Sequence, residues 1–128
     1  HKAKAAGKLY LVSDAMATIG SSEKSFELYG ETIQERDGRL LNSEGKLAGS
    51  AIGLIDAVKT AHLEVGLTLE ESLRMASLYP AQFLKIDQHY GRIQQGYNAN
   101  LVHFNEQFEV STTWINGDTQ YHDKAKHL

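Results

Sequence analysis

The sequence has no cysteine, one proline and one tryptophan in 128 residues. Without cysteine there can be no disulfide and no cysteine-built zinc site. That fits a reducing compartment, and the cytoplasm is the expected location. Charge of either sign is not in excess: 13 Lys and Arg stand against 16 Asp and Glu, for a formal net charge of −3. Nucleic acid is therefore not an expected partner. No apolar run approaches the roughly 20 residues that cross a bilayer. The basic start runs into Ala5-Ala-Gly7, which is no apolar core for a signal peptide, so no membrane partner is expected. The six histidines, His1, His62, His89, His103, His122 and His127, form no HxH or HExxH pair. No metal ligand is expected among them.

What is present suits one domain with a modest core, at 41% apolar residues. The sequence opens without Met, in a Lys- and Ala-rich stretch that favours helix, with Gly7 as its stop. The apolar run at 9–12 then reads as a short buried strand, ending in Ser13-Asp14. A helix leading into a buried strand is the middle of a βαβ unit, and such a strand needs parallel neighbours and cover on both faces. The expectation is a fragment of a longer protein. A carboxylate at the C-terminal tip of a buried parallel strand is where barrel and open α/β enzymes keep catalytic acids and bases. The plain rival reading of Asp14 is a turn former or helix cap.

Residues 17–24 read as a polar loop. Phe26, Leu28, Thr32 and Ile33 suggest strands, with turns at Asp37-Gly38 and Asn42 to Gly45, so residues 25–47 form a small β excursion. Ser50 is the expected cap of a helix carrying Leu54, Ile55, Val58, Ala61 and Val65 at helical spacing and closing at Gly66. Thr68-Leu-Glu-Glu71 matches a capping box for a second helix with Leu69, Leu73 and Ala76 inward. There Glu70 and Glu71 are helix-start charges rather than a catalytic pair. Pro80 stops that helix and sits in the first turn of another at 81–86. Strands are expected at 91–93, 100–104 and 108–115, the last ending in the hairpin pair Asn116-Gly117. The polar tail, 121–128, is expected to fray. Tyr79 and Tyr121 could stack on a ligand ring, but aromatics near helix ends are more often packing residues, as Trp114 is expected to be.

Several of these segments together resemble the C-terminal third of the N-acetylglucosamine-6-phosphate deacetylases, a family of the amidohydrolase superfamily. They are Leu11-Val-Ser-Asp-Ala-Met16, Gly45-Lys-Leu-Ala-Gly-Ser50, Leu73-Arg-Met-Ala-Ser-Leu-Tyr-Pro-Ala81, Gly91-Arg-Ile-Gln-Gln-Gly-Tyr-Asn-Ala-Asn-Leu-Val102 and Trp114-Ile-Asn-Gly117, in the family's order and at family-like spacings. One departure is Asn100, where many amidohydrolases carry Asp at a structural position. The resemblance implies an α/β fold class: the C-terminal fragment of a (β/α)8 barrel plus strands of a small β-sandwich. Residues 1–24 would hold the last barrel helix, strand and active-site loop, and 25–47 the β excursion. Residues 48–96 would form the helical segment closing the barrel, and 97–128 the sandwich strands and tail.

The chemistry it implies is hydrolysis of the acetamide of N-acetylglucosamine 6-phosphate. A divalent metal, zinc or similar, would polarise the carbonyl in the full-length enzyme, and a carboxylate would move the water's proton. By resemblance that carboxylate is Asp14, and Leu47, Ala48 and Gly49 contact the substrate. A glycine admits a close approach of ligand to backbone, while the plain reading is a loop leading into the Ser50 cap. The metal ligands, a substrate-binding His and an Arg from a second subunit of a homodimer would all lie upstream of residue 1. The isolated chain is then expected to be inactive, to hold no cofactor, and to self-associate or lose order at 1–25. The alternatives are another amidohydrolase, dihydroorotase-like or deaminase-like, and a non-catalytic self-associating domain.

Overall fold

Two left-handed residue pairs lay out the first sheet. The computed structural model describes residues 7–121. Within it the chain divides into two compact units, one made of Val12–Ala57 and the other of the residues up to Leu11 together with those from Val58 onward. In the first unit, β1 (Ser25–Leu28), β2 (Glu31–Arg36), β3 (Arg39–Leu41) and β4 (Leu47–Ser50) form an antiparallel meander in chain order. Tyr29-Gly30 joins β1 to β2 and Asp37-Gly38 joins β2 to β3, with φ of 53° and 82°, and of 50° and 74°. Positive φ at both central residues matches the twist of a two-residue hairpin. The third turn is held by Asn42, whose side-chain oxygen accepts from the Glu44 and Lys46 amides at 3.1 and 2.9 Å.

Alternation then sorts the side chains. Ile33 and Leu40 are buried, and Phe26 and Gly49 stand opposite them in the register. Glu35 shares that face and pairs with Lys24 at 3.3 Å. The sheet thus runs on to Ser50, so Leu47, Ala48 and Gly49 form a strand rather than the expected loop. A register shift between Leu40 and Leu41 marks a bulge in the β3–β4 pairing, a feature that re-aims side chains locally. Because Ser50 still belongs to β4, it cannot cap the next helix. Its hydroxyl accepts from the Ile52 amide at 3.1 Å instead. Gly53 stands just before helix α1 (Leu54–Leu63), and its amide donates to Asp56 Oδ2 at 2.8 Å. Residues 17–24 are not a fully solvated loop either, since Thr18 is buried.

In the second unit the core is Val58, Ala61, Met75, Leu78 and Ala81, from α1, α2 (Leu69–Ala76) and α3 (Leu78–Phe83). Thr68 caps α2 as expected, its hydroxyl accepting from the Glu71 amide at 3.2 Å. The buried face of α2 is centred on Ser72 and Met75, while Leu69, Leu73 and Ala76 are half-buried. Helix α3 begins before Pro80, which occupies its first turn, where the missing N–H is not needed. Gly91 is not in a strand. Its φ is +90°, and a Cβ there would stand 2.9 Å from the Leu78 Cα and 3.2 Å from the Ala81 Cβ. The glycine is required because this turn crosses α3 closely, which explains why a strand reading fails.

Three strands follow in antiparallel order, β5 (Leu101–Phe104), β6 (Val110–Ile115) and β7 (Asp118–Tyr121). Phe108, expected in a strand, lies in the β5–β6 turn at φ 65° and stacks on Phe104 at 5.7 Å. Asn100 is in a structural contact. Its side-chain oxygen accepts from the Asn116 amide at 2.8 Å and so anchors the Asn116-Gly117 turn. An Asp oxygen could accept the same bond.

The segment at 9–12 is the largest departure from expectation. It forms no ladder. The Leu11 amide donates to the Met75 carbonyl at 2.9 Å, Tyr10 leans on Phe83 at 5.5 Å, and Val12 is 69% exposed. A strand exists through its neighbours' main-chain groups, and the described residues bring no parallel strand beside this one.

Candidate functional site

The Asp14 turn is fastened to the end of β4. Asp14 has φ 51°, a left-handed conformation that Asp tolerates better than most residues. Its carbonyl accepts from the Ser50 amide at 3.1 Å, and the Met16 amide returns a 3.3 Å bond to the Ser50 carbonyl. Ala15 thereby pairs with Ser50 in a parallel bridge. Ser13 closes the turn from within, its hydroxyl accepting from the Ala15 amide at 3.3 Å. The Asp14 carboxylate is exposed. The fold thus brings together the two segments that the resemblance selects, although all of β1 to β3 separates them in sequence.

Gly49 is explained by this junction. A Cβ at Gly49 would stand 2.7 Å from Met16 Sδ and 3.2 Å from Met16 Cγ, and the residue has φ +149°. The missing side chain therefore makes room for Met16, besides any approach of a ligand. Leu47 is 71% exposed and Ala48 half-buried. Met16 and Ser50 complete the arrangement, and sequence reasoning gave neither a part in it. Only the joint presence of both motifs hinted that they meet.

Several of the other candidates are occupied in structural contacts. His62 Nδ1 is 2.8 Å from the Leu67 carbonyl, and His103 Nδ1 is 2.7 Å from the Ser111 hydroxyl. Among the described residues no three His, Asp or Glu side chains cluster as a metal site would require. Tyr79 donates its hydroxyl to Glu71 at 2.9 Å, and the Lys8 ammonium lies 4.4 Å from its ring centroid. Its ring face is thus already in use. Glu71 also receives Arg74 at 2.9 Å. The Tyr79 bond and then the Arg74 guanidinium outweigh partial burial and hold its carboxyl below the ordinary range. Trp114 is half-buried within β6, consistent with packing. His1, His122, His127, the Tyr121 side chain, the helix expected before Gly7 and the tail beyond 121 lie outside the described residues. No helix among the described residues is long and apolar enough to cross a membrane.

Known proteins resemble this arrangement over nearly its full length. The chain matches the amidohydrolase family over residues 8–119 and belongs to that family. It is 35% identical over 112 residues to the N-acetylglucosamine-6-phosphate deacetylase of Haemophilus influenzae, covering 86% of this chain and 29% of that protein. It is 32% identical over 120 residues to the N-acetylgalactosamine-6-phosphate deacetylase of a Shewanella strain, covering 94% and 30%. The crystal structure of N-acetylglucosamine-6-phosphate deacetylase from Pasteurella multocida superposes with a TM-score of 0.84 at 42% identity, over 90% of this chain and 30% of that one. The chain therefore spans about 30% of the length of these relatives.

Proposed function

We propose that this chain serves in an N-acetylhexosamine-6-phosphate deacetylase, N-acetylglucosamine 6-phosphate being the favoured substrate. In that reading it supplies the proton-transfer carboxylate, Asp14, and a substrate-contact strand, Leu47, Ala48 and Gly49. The observation that carries the reading is the pairing of the Asp14 turn with the end of β4, because it joins a carboxylate on an anchored main chain to a strand that can line a substrate.

Asp14 would accept a proton from the attacking water and deliver one to the departing amine nitrogen, leaving hexosamine 6-phosphate and acetate. The described residues do not by themselves offer a set for the divalent metal that the resemblance implies. Its ligands would come from sequence that the relatives have and this chain does not cover. The rest of the reading follows the same resemblance. Residues 9–12 would be a barrel strand laddered by neighbours from the uncovered part, and β5 to β7 would belong to a small sandwich. The segments 1–24, 25–47, 48–96 and 97–128 would be the working divisions, with the observed sheet reaching three residues past the second. The enzyme would act as a cytoplasmic homodimer.

The test is substrate choice by the intact enzyme. Acetate release from N-acetylglucosamine 6-phosphate or its galacto epimer supports the reading. Hydrolysis of a cyclic amide or deamination of a base, with no acetate release, would replace it with another amidohydrolase activity.

A further inference from the structure

Resting on that deacetylase reading, we propose that Met16 is a positioning residue, its thioether seated in the notch left by Gly49 to hold the Asp14 turn at the end of β4. The argument begins with how unequally the two sides of this junction are held. Strand β4 pairs with β3 at Leu47, Gly49 and Ser50, at the edge of a four-stranded sheet. The turn at 14–16 is fastened to it by two main-chain bonds, both to Ser50, at 3.1 and 3.3 Å. Asp14 also carries a left-handed φ of 51° that nothing in its own short turn enforces beyond the Ser13 hydroxyl bond. A turn so held can swing about Ser50.

Met16 blocks that swing. Its Sδ and Cγ occupy the space where a Cβ at Gly49 would be, one residue before Ser50, and Gly49 in turn faces the fully buried Leu40. The side chain thus extends the main-chain clasp by one residue along β4 and ties the turn to the sheet interior. A flexible, unbranched thioether suits an irregular notch beside a bulge. Since β4 is laddered to β3 and the turn has only its two bonds to Ser50, loss of Met16 should displace the turn rather than the strand. The carboxylate would lose its placement while the substrate-contact residues kept theirs.

The test uses the intact enzyme. Met16→Ala should lower kcat roughly 10- to 100-fold, the scale of a small misplacement of a reacting group, with KM changed by much less. Met16→Leu, which refills the notch, should restore most of the lost kcat. An unchanged kcat in Met16→Ala, or a rise in KM with kcat intact, would overturn the proposal. If Met16→Ala does not fold, Met16→Leu and Met16→Gln decide. Equal kcat in these two folded variants and the parent overturns the proposal, while a kcat loss confined to the poorly fitting Gln supports it. The two readings fail differently. An enzyme that releases no acetate from either sugar phosphate refutes the deacetylase reading, whereas one that does so with Met16→Ala at full kcat refutes only the role of Met16.

Discussion

The β1–β4 sheet and the segment at 9–12 are both apolar stretches that read as strands, yet only the sheet is one. Each strand of the meander pairs with its neighbour in sequence through a short turn. Turn chemistry and alternation therefore suffice to build it. Among the described residues the 9–12 segment has no such local partner, and the Leu11 amide bonds instead to the end of α2. An apolar pattern thus reports a need for burial. It does not supply the partner, and a parallel partner always lies far along the chain.

The comparison is sharpest between Leu40, fully buried in the sheet, and Val12, 69% exposed. Leu40→Ala should destabilise the chain by about 3 kcal/mol, measured by denaturant unfolding. Val12→Ala should change this chain's stability by less than about 0.5 kcal/mol. In the intact enzyme, where the proposed barrel neighbours cover residue 12, the same substitution should cost about 1 kcal/mol or more. Equal, negligible costs of Val12→Ala in both settings would break the proposal that 9–12 is a barrel strand. A comparable loss, about 2 to 3 kcal/mol, is expected for Gly91→Ala, which forces a Cβ against the Leu78 backbone at a positive φ.

Smaller effects separate anchored turns from merely permitted ones. Asn100→Ala should cost about 1 kcal/mol through loss of the bond to the Asn116 amide, while Asn100→Asp should cost less. The smallest effect concerns Glu71. Its folded carboxyl is held below the unfolded value by Tyr79 and Arg74, so its contribution is present above the unfolded value of about 4.5 and fades as pH falls through the lower folded value. Acid titration of stability should therefore flatten slightly in Glu71→Gln. An identical acid limb would show that the exposed side of this cluster screens it fully.

Local rules made much of the fold legible. Asp37-Gly38, Asn116-Gly117 and the Thr68 cap act within a few residues, and each forms as its sequence implies. Tyr29-Gly30 escaped notice because Tyr is not a usual left-handed residue, and Gly91 misled because a close crossing of α3 and a strand-flanking turn ask for the same residue. Ser50 reads as a helix cap, yet it closes strand β4. In the candidate site, Asp14 was legible as a carboxylate closing an apolar run, and the resemblance gave it a role. The Met16–Gly49 contact was invisible because it joins residues that β1 to β3 separate, and no spacing rule reaches that far.

Turnover of Asp14→Asn in the intact enzyme is the most direct test of the central claim, that the turn clasped to β4 carries the proton-transfer group. Asn keeps the shape and the left-handed backbone but cannot take a proton from water. The account predicts a fall in kcat of about 10² to 10⁴ with folding and metal content preserved. Near-normal acetate release by a folded Asp14→Asn enzyme would contradict it.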